Sequence, residues 1–353
     1  MRLFTTFRTV RLRVLCIQLA ILIYLSLIAF AVFNYCNHCA VTLPSSLVDK
    51  SKMGTAAQNL CELNFQELGV QDVNKYDEPT EEEIIAANPQ VHKGGAWAPS
   101  DCQSWQKVAI IVPYRNRLQP LRLLLRRLHP MLQRQKLDYR IFIVEQAGDG
   151  EFNRGKLFNV GYIEAGKFAD FNCFVFHDVD LLPEDDRNLY MCDNHGRHLE
   201  TATDDVRYHL KYYNYAGGVI AINSRNFFRI NGFPNLYWGW GNEDDDFSAR
   251  ITESGLLLTR PPELIGRYQM VPHRKNTRSS SGNGMFFGWQ RRWPTDGLKD
   301  PVGMNYSVIR IDETPLYTRI LVDIGSPPAD MSVYTQRHEQ DISLWWFLTF
   351  YYP

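Results

Sequence analysis

Residues Tyr237 to Asp246 read YWGWGNEDDD, with Glu243, Asp244, Asp245 and Asp246 directly behind two tryptophans and two glycines. Adjacent carboxylates repel one another, so a chain that keeps four together commonly holds them for proton transfer or for a cation; the plain alternative is a solvated acidic turn. Three shorter patterns lie upstream: Arg115-Asn116-Arg117, Phe152-Asn153-Arg154 and Asp178-Val179-Asp180. Arginine binds phosphate through paired hydrogen bonds, and Asp-x-Asp suits a divalent cation that bridges phosphates. Each pattern is common alone, but together they describe a nucleoside diphosphate held through a metal.

The elements that would position these groups alternate. Val108 to Tyr114 is predicted as a buried strand, Leu118 to Gln135 as a helix with leucines at helical spacing, and Tyr139 to Gln146 as a second strand. Gly155 to Phe168 follows as a helix, and Cys173 to Pro183 as a third strand ending in acids. This order predicts an α/β sheet with parallel strands, whose ligands bind at the carboxyl ends of the strands. Each charged pattern follows one of those strands. Neither GxxxxGKS/T nor GxGxxG occurs, which argues against a kinase, an ATPase or a dinucleotide dehydrogenase. A nucleotide held by Asp-x-Asp and metal points instead to a nucleotide-sugar glycosyltransferase.

The 353 residues are 45 % hydrophobic and 22 % charged, the balance of a folded protein, and a net charge of -1 gives no basic field for nucleic acid. Val14 to Phe33 is apolar, uncharged and about as long as a bilayer is thick. Arg2, Arg8, Arg11 and Arg13 precede it without an acid, so the N-terminus is expected in the cytosol and the remainder in a lumen. The expected divisions are a tail at 1–13, a transmembrane signal-anchor at 14–33, a polar stem at 34–60 and a catalytic domain at 61–353. A luminal domain is oxidised. Cys61, Cys102, Cys173 and Cys192 suit two disulfides in any of three pairings, and they lack the close CxxC spacing of zinc sites. Asn305-Tyr306-Ser307 is a glycosylation sequon.

The chain resembles the β-1,4-galactosyltransferase family, Golgi type II membrane enzymes of GT-A fold, from about Asn88 to Gly325. The resemblance rests on VAIIVPYRNR, YRIFIVEQAGDGEFNRGKLFNVGY, CFVFHDVDLLP, YAGGVIAI and INGFPNLYWGWGNEDDD, among other segments. It implies that Arg115, Arg117, Phe152, Arg154, Asp178, Val179, Tyr215 and Gly218 line the UDP-sugar site. It further implies that Asp180, Met270 and His273 hold Mn²⁺, a mixed hard and soft set that suits a transition ion over Mg²⁺ or Ca²⁺. Asp244 matches the family's catalytic base, with Glu243, Asp245, Trp240 and Tyr212 around the acceptor. The family spacing pairs Cys61 with Cys102 and Cys173 with Cys192.

The reaction so implied is inverting transfer of galactose from UDP-galactose to the 4-hydroxyl of a terminal β-N-acetylglucosamine on a glycoprotein or glycolipid. Tyr215 matches the family position whose ring fills the volume an N-acetyl group would need. The alternative readings are transfer of N-acetylgalactosamine to the same acceptor and a catalytically silent binding partner. His273 to Arg292, rich in Ser, Gly and Asn, is expected to form a lid, with Phe286, Phe287 and Trp289 as acceptor contacts by type. The tail ISLWWFLTFYYP is too short to span a membrane and is expected to pack on the core. A membrane-surface or oligomer contact is the alternative for it, and the partners expected for the chain include a homodimer mate or an accessory membrane partner.

Overall fold

The computed structural model describes residues 18–19, 21–26, 39–48, 59–272, 282–300 and 303–335. Numbered in chain order, the main sheet runs β1 (Cys39–Val41), β10 (Leu258–Arg260), β7 (Gly196–His198), β9 (Val219–Asn223), β5 (Cys173–His177), β3 (Lys107–Tyr114), β4 (Asp138–Gln146), β13 (Thr318–Asp323) and β12 (Ser307–Glu313). β2 (Ala96–Trp97) also pairs with β4, and a second sheet joins β6 (Leu181–Pro183), β11 (Arg267–Met270) and β8 (Ala202–Thr203). The expected parallel strands form the centre: β5, β3, β4 and β13 are mutually parallel, while β9 and β12 run against their neighbours. Three strands that point the same way deliver their carboxyl ends, and the charged patterns behind them, to one edge.

Alternation within β3 divides the core. Val108, Ile110 and Val112 pack with Leu121, Leu124 and Leu128 of helix α1 (Leu118–Arg134), whereas Ala109 and Ile111 face Phe158 of α2 (Arg154–Ala165). Asn153 caps α2, its side chain accepting from Lys156 N at 2.9 Å while its own amide reaches Asn235 O at 2.6 Å. That cap sets Arg154 on the first turn, at the carboxyl end of β4. From α1, Arg127 donates to Pro183 O at 2.6 Å and to Asp186 at 2.7 Å, fixing the segment beyond the acids.

The third predicted strand, Cys173 to Pro183, is two strands. β5 stops at His177, the chain turns through Asp178-Val179-Asp180, and Leu181 enters the second sheet. Buried His177 makes the break, donating from Nδ1 to Asp178 O at 2.7 Å and accepting at Nε2 from the Tyr190 hydroxyl at 2.8 Å. Burial pushes its pKa down to about 4, so the imidazole is neutral and one N–H is assigned to the turn.

The disulfides are Cys61–Cys102 and Cys173–Cys192, as the resemblance implied. Within the expected stem, Cys39–Val41 pairs in parallel with β10, and Thr42 N donates to Arg260 O at 2.7 Å. That segment therefore adds a strand to the sheet, although its composition shows no strand period. Of the expected span Val14 to Phe33, residues 18–19 and 21–26 are described and helical; no helix among the described residues is long and apolar enough to cross a membrane. The remainder of the span, the tail 1–13, residues 273–281 and the segment ISLWWFLTFYYP lie outside the described residues.

Gly161 of α2 is where helix and sheet touch most closely: a Cβ there would stand 2.2 Å from Ile111 Cγ2 and 3.0 Å from Val144 Cγ2. Gly161→Ala is expected to lower stability by about 1–3 kcal/mol through overpacking, against a propensity gain of about 1 kcal/mol. Urea unfolding measures it; an unchanged or higher midpoint means the helix moves away without cost.

Candidate active site

The chain leaves β3 through Asn116 at φ 52°, a left-handed bend that Asn tolerates, and the flanking arginines part there. Arg115 donates to Gly148 O at 3.3 Å and to Gly150 O at 2.6 Å, and lies over the Phe152 ring at 5.3 Å. Arg117 turns toward the acids behind β5, its Nη1 standing 3.9 Å from Asp180 Oδ2. That nitrogen is buried and has no hydrogen-bond partner among the described residues, so a cation stands ready where an anion would enter.

Arg154 joins the remaining pieces. Its Nε donates to Asp178 Oδ1 at 2.6 Å, its Nη1 to Glu243 Oε1 at 3.0 Å and its Nη2 to Gly218 O at 3.4 Å. Burial alone would lower its pKa, but Asp178, Glu243 and Asp244 drive it up, so the guanidinium stays charged. Burial raises Asp178 despite Arg154, with Asp180 adding to the rise. Burial and then Asp244 push Glu243 up to about 7, against Arg154. The acids are therefore held where ionisation is costly, as at sites built for a cation or for proton transfer.

The acidic run begins the helix α3 (Glu243–Glu253). A helix N-terminus favours negative charge, and the 100° step between residues sends four adjacent carboxyls in four directions. Asn242 enters the helix at φ 73°, a turn that a glycine or an asparagine can make. Glu243 meets Arg154. Asp244 is half-buried, and a Cβ on Gly217 would stand 2.6 Å from its Oδ2. Asp245 accepts from the Tyr212 hydroxyl at 2.6 Å. Asp246, fully buried, accepts from Arg250 at 2.6 Å, Tyr237 at 3.0 Å and Arg292 at 3.3 Å, which makes it a structural anchor. The tryptophans divide likewise: Trp238 is buried in the core, while Trp240 is 57 % exposed beside the acids and can stack on a sugar ring.

Opposite α3, the backbone of Tyr213 to Gly218 is fastened from below. Arg260 Nη2 donates to Tyr213 O at 2.6 Å and Tyr215 O at 2.9 Å, and His198 Nε2 donates to Gly217 O at 2.9 Å. Tyr215 is buried at 8 % exposure, edge-on to Tyr212 and His198. His177, His198, Glu200, Lys211 and Arg260 are site residues that the sequence patterns missed; each lies in an unremarkable local context and acquires its role only from long-range contacts.

For the metal set, Leu181 pairs with Met270, and Val271 N donates to Asp180 O at 2.8 Å, which brings Asp180 and Met270 to neighbouring positions of adjoining strands. A carboxylate beside a thioether fits a transition ion. His273 lies outside the described residues. Of the lid, Gly282–Phe287 and Trp289–Arg292 are helical, and Phe286 and Trp289 are buried in a cluster with Ala249. They are packing residues here, contrary to their expected place against an acceptor.

Two outcomes follow from this geometry. Asp246→Ala is expected to cost about 3–5 kcal/mol because it leaves buried guanidinium groups uncompensated, while Asp244→Asn changes stability by less than about 0.5 kcal/mol; equal losses in chemical denaturation would refute the division. Burial pushes Glu200 from an ordinary 4.5 up to about 8, opposed by Lys211. A carboxyl raised in the fold binds a proton there that the unfolded chain has released, so its contribution falls as pH climbs from about 4.5 to 8. Melting temperatures across that window should drop less steeply in Glu200→Gln.

The family model for the N-terminal region of glycosyl transferase group 7 matches residues 61–193, and a model described as the N-terminal domain of galactosyltransferase matches 197–274. β-1,4-Galactosyltransferase 1 of Mus musculus is 46 % identical over 249 residues, covering 69 % of this chain and 62 % of its own length. β-1,4-Galactosyltransferase 3 of Cricetulus griseus is 44 % identical over 254 residues, covering 71 % and 64 %. The chain thus spans somewhat less than two thirds of these relatives. Among solved structures, the catalytic domain of Drosophila β1,4-galactosyltransferase 7 in complex with xylobiose superposes with a TM-score of 0.53 at 27 % identity, over 66 % of this chain and all of that one. A mutant of that enzyme, in complex with manganese, UDP-Gal and xylobiose, matches equally well. Strand order, the acids at the strand ends and these similarities converge: the chain belongs to the β-1,4-galactosyltransferase family and has its GT-A-type α/β fold.

Proposed function

We propose that this protein transfers galactose from UDP-galactose, with inversion, to the 4-hydroxyl of a terminal β-N-acetylglucosamine on a glycoprotein or glycolipid. The observation that carries this reading is the meeting of three strand ends with α3. Arg154 binds Asp178 and Glu243 together, and beside them Asp244 and Tyr215 close on the bare Cα of Gly217. UDP-Gal and manganese are ligands of a relative with the same fold, and they match the chemistry of these residues.

Arg115 and Arg117 are placed to receive the diphosphate, with Phe152 and Val179 against the nucleoside and Gly218 and Tyr215 under the sugar. Asp180, Met270 and His273 would hold a divalent ion, manganese by their donor set, whose positive charge favours departure of UDP. Trp240 offers its exposed face to the acceptor ring, and Glu243, Asp245 and Tyr212 bind its hydroxyls. Asp244 takes the proton of the acceptor 4-hydroxyl as that oxygen attacks the anomeric carbon from the face opposite UDP. The new carbon–oxygen bond forms as the bond to UDP breaks, UDP leaves with the electron pair, and the product is the β-glycoside. No covalent sugar–enzyme intermediate is required.

The same reading assigns residues 1–13 to the cytosol, 14–33 to a single membrane span, 34–60 to a stem and 61–353 to the Golgi lumen. It is supported by the uncharged run behind four arginines, by two disulfides that need an oxidising compartment, and by exposed Asn305 in its sequon.

UDP release by the detergent-solubilised full chain tests the activity, with a β-N-acetylglucosaminide acceptor and either UDP-galactose or UDP-N-acetylgalactosamine. Faster turnover of the galactose donor is expected, lost on chelation of Mn²⁺ and reduced about 100-fold or more in Asp244→Asn. Faster turnover of the N-acetylated donor would reassign the donor, and release from neither would leave a silent binding partner.

A further inference from the structure

Tyr215 is held by its hydroxyl as well as by packing. Lys211 Nζ donates to Tyr215 Oη at 3.0 Å and stands 4.6 Å from the ring centroid. The phenol's own hydrogen is then left to donate, and the carboxyl of Glu200 lies near it across two adjacent glycines: a Cβ on Gly217 would stand 2.5 Å from Tyr215 Oη, and one on Gly218 would meet Glu200 Oε2. Glu200 is 2 % exposed, and its Oε2 has no hydrogen-bond partner among the described residues, which leaves it open to accept that hydrogen. His198 Nε2 is 3.6 Å from that oxygen, but its N–H is committed to Gly217 O, and burial keeps the ring neutral. Room for the carboxyl comes from Gly218: at φ +70°, a Cβ would stand 2.3 Å from Glu200 Oε2. The glycine that the resemblance places under the donor sugar therefore also accommodates Glu200.

We propose that Lys211 and Glu200 are positioning residues of the donor pocket, clamping the Tyr215 hydroxyl so that the clamp, more than the bulk of the ring, discriminates between a donor sugar with a free 2-hydroxyl and its 2-acetamido analogue. This rests on the function proposed above. Tyr212 and His198 pack edge-on against the ring but do not bond its hydroxyl. An aromatic side chain can turn about χ1 and χ2 unless something fixes its far end. Here an ammonium bonded to the hydroxyl oxygen fixes that end, with an unpartnered buried carboxyl oxygen nearby for its hydrogen, and charge-assisted hydrogen bonds are the stronger kind.

Tyr215→Phe separates the two accounts because it keeps the ring and removes the hydroxyl. With the full chain in detergent and Mn²⁺, calorimetric titration gives the Kd of UDP-galactose and of UDP-N-acetylgalactosamine, and their ratio is the readout. Wild type is expected to favour the galactose donor. Tyr215→Phe and Lys211→Met should each shrink that preference at least tenfold, and the conservative Lys211→Arg should retain it. Lys211 is exposed, so its variants fold. If Tyr215→Phe and Lys211→Met keep the wild-type ratio while Tyr215→Leu abolishes it, bulk alone decides and the clamp is refuted. A wild-type preference for the N-acetylated sugar overturns the clamp together with the donor assignment. Failure of both nucleotides to bind wild type overturns the proposed function itself.

Discussion

The guanidinium of Arg154 is the contact on which the site depends. Asp178 follows the end of a strand and Glu243 begins a helix 65 residues later; Asp178 is half-buried and Glu243 buried, both near further acids. Without a cation between them their repulsion in a poorly solvated pocket would drive the two segments apart. Arg154 is well suited to the task because its planar fork can bond two carboxyls and a carbonyl at once. It can reach them because Asn153 caps α2 at the end of β4. A backbone detail on one strand thus determines whether the acids of two others can share a pocket.

Charge is distributed unevenly over the acids of α3, and the difference separates support from chemistry. Asp246 receives donors from Arg250, Tyr237 and Arg292. Glu243 has Arg154 against both burial and Asp244, and is raised to about 7. Asp296, behind Arg250 and Arg292, is pushed up to about 6, burial being the main cause. Such strain is costly to stability and is tolerated where a bound ligand can relieve it.

Much of this was legible in the chain. Runs such as Val108 to Val112 could be little other than buried strands, and the charged residues behind them had to meet at one edge once the strands were parallel. The family resemblance supplied the disulfide pairing, which spacing alone left open. Other features were not legible because their causes lie far away in sequence. The apolar run Cys173 to Pro183 gives no sign of its break, which His177 makes through Tyr190 and which Gly218 supports through the amide of Asp178. Asp244 and Asp246 look alike until a helix turns them to opposite surroundings. Phe286 and Trp289 resemble sugar-binding aromatics by type, and only their packing on Ala249 marks them as core. Cys39–Val41 is a strand because β10 offers it an edge.

That added strand bears on how the protein avoids joining its neighbours. An open sheet exposes unpaired amides and carbonyls at each side, which invite strands from other molecules. On one side β1 covers β10 with three residues, and Pro44, three residues beyond its end, cannot donate a ladder hydrogen bond. On the other side β12 exposes Ile309 and Ile311, yet its register shifts between Val308 and Arg310, and Arg310, Asp312 and Glu313 place charges of both signs along it. The irregular pairing twists that edge, and the charges penalise stacking against a copy. A segment whose composition marks it as mere tether thereby helps to keep a ten-stranded sheet from growing.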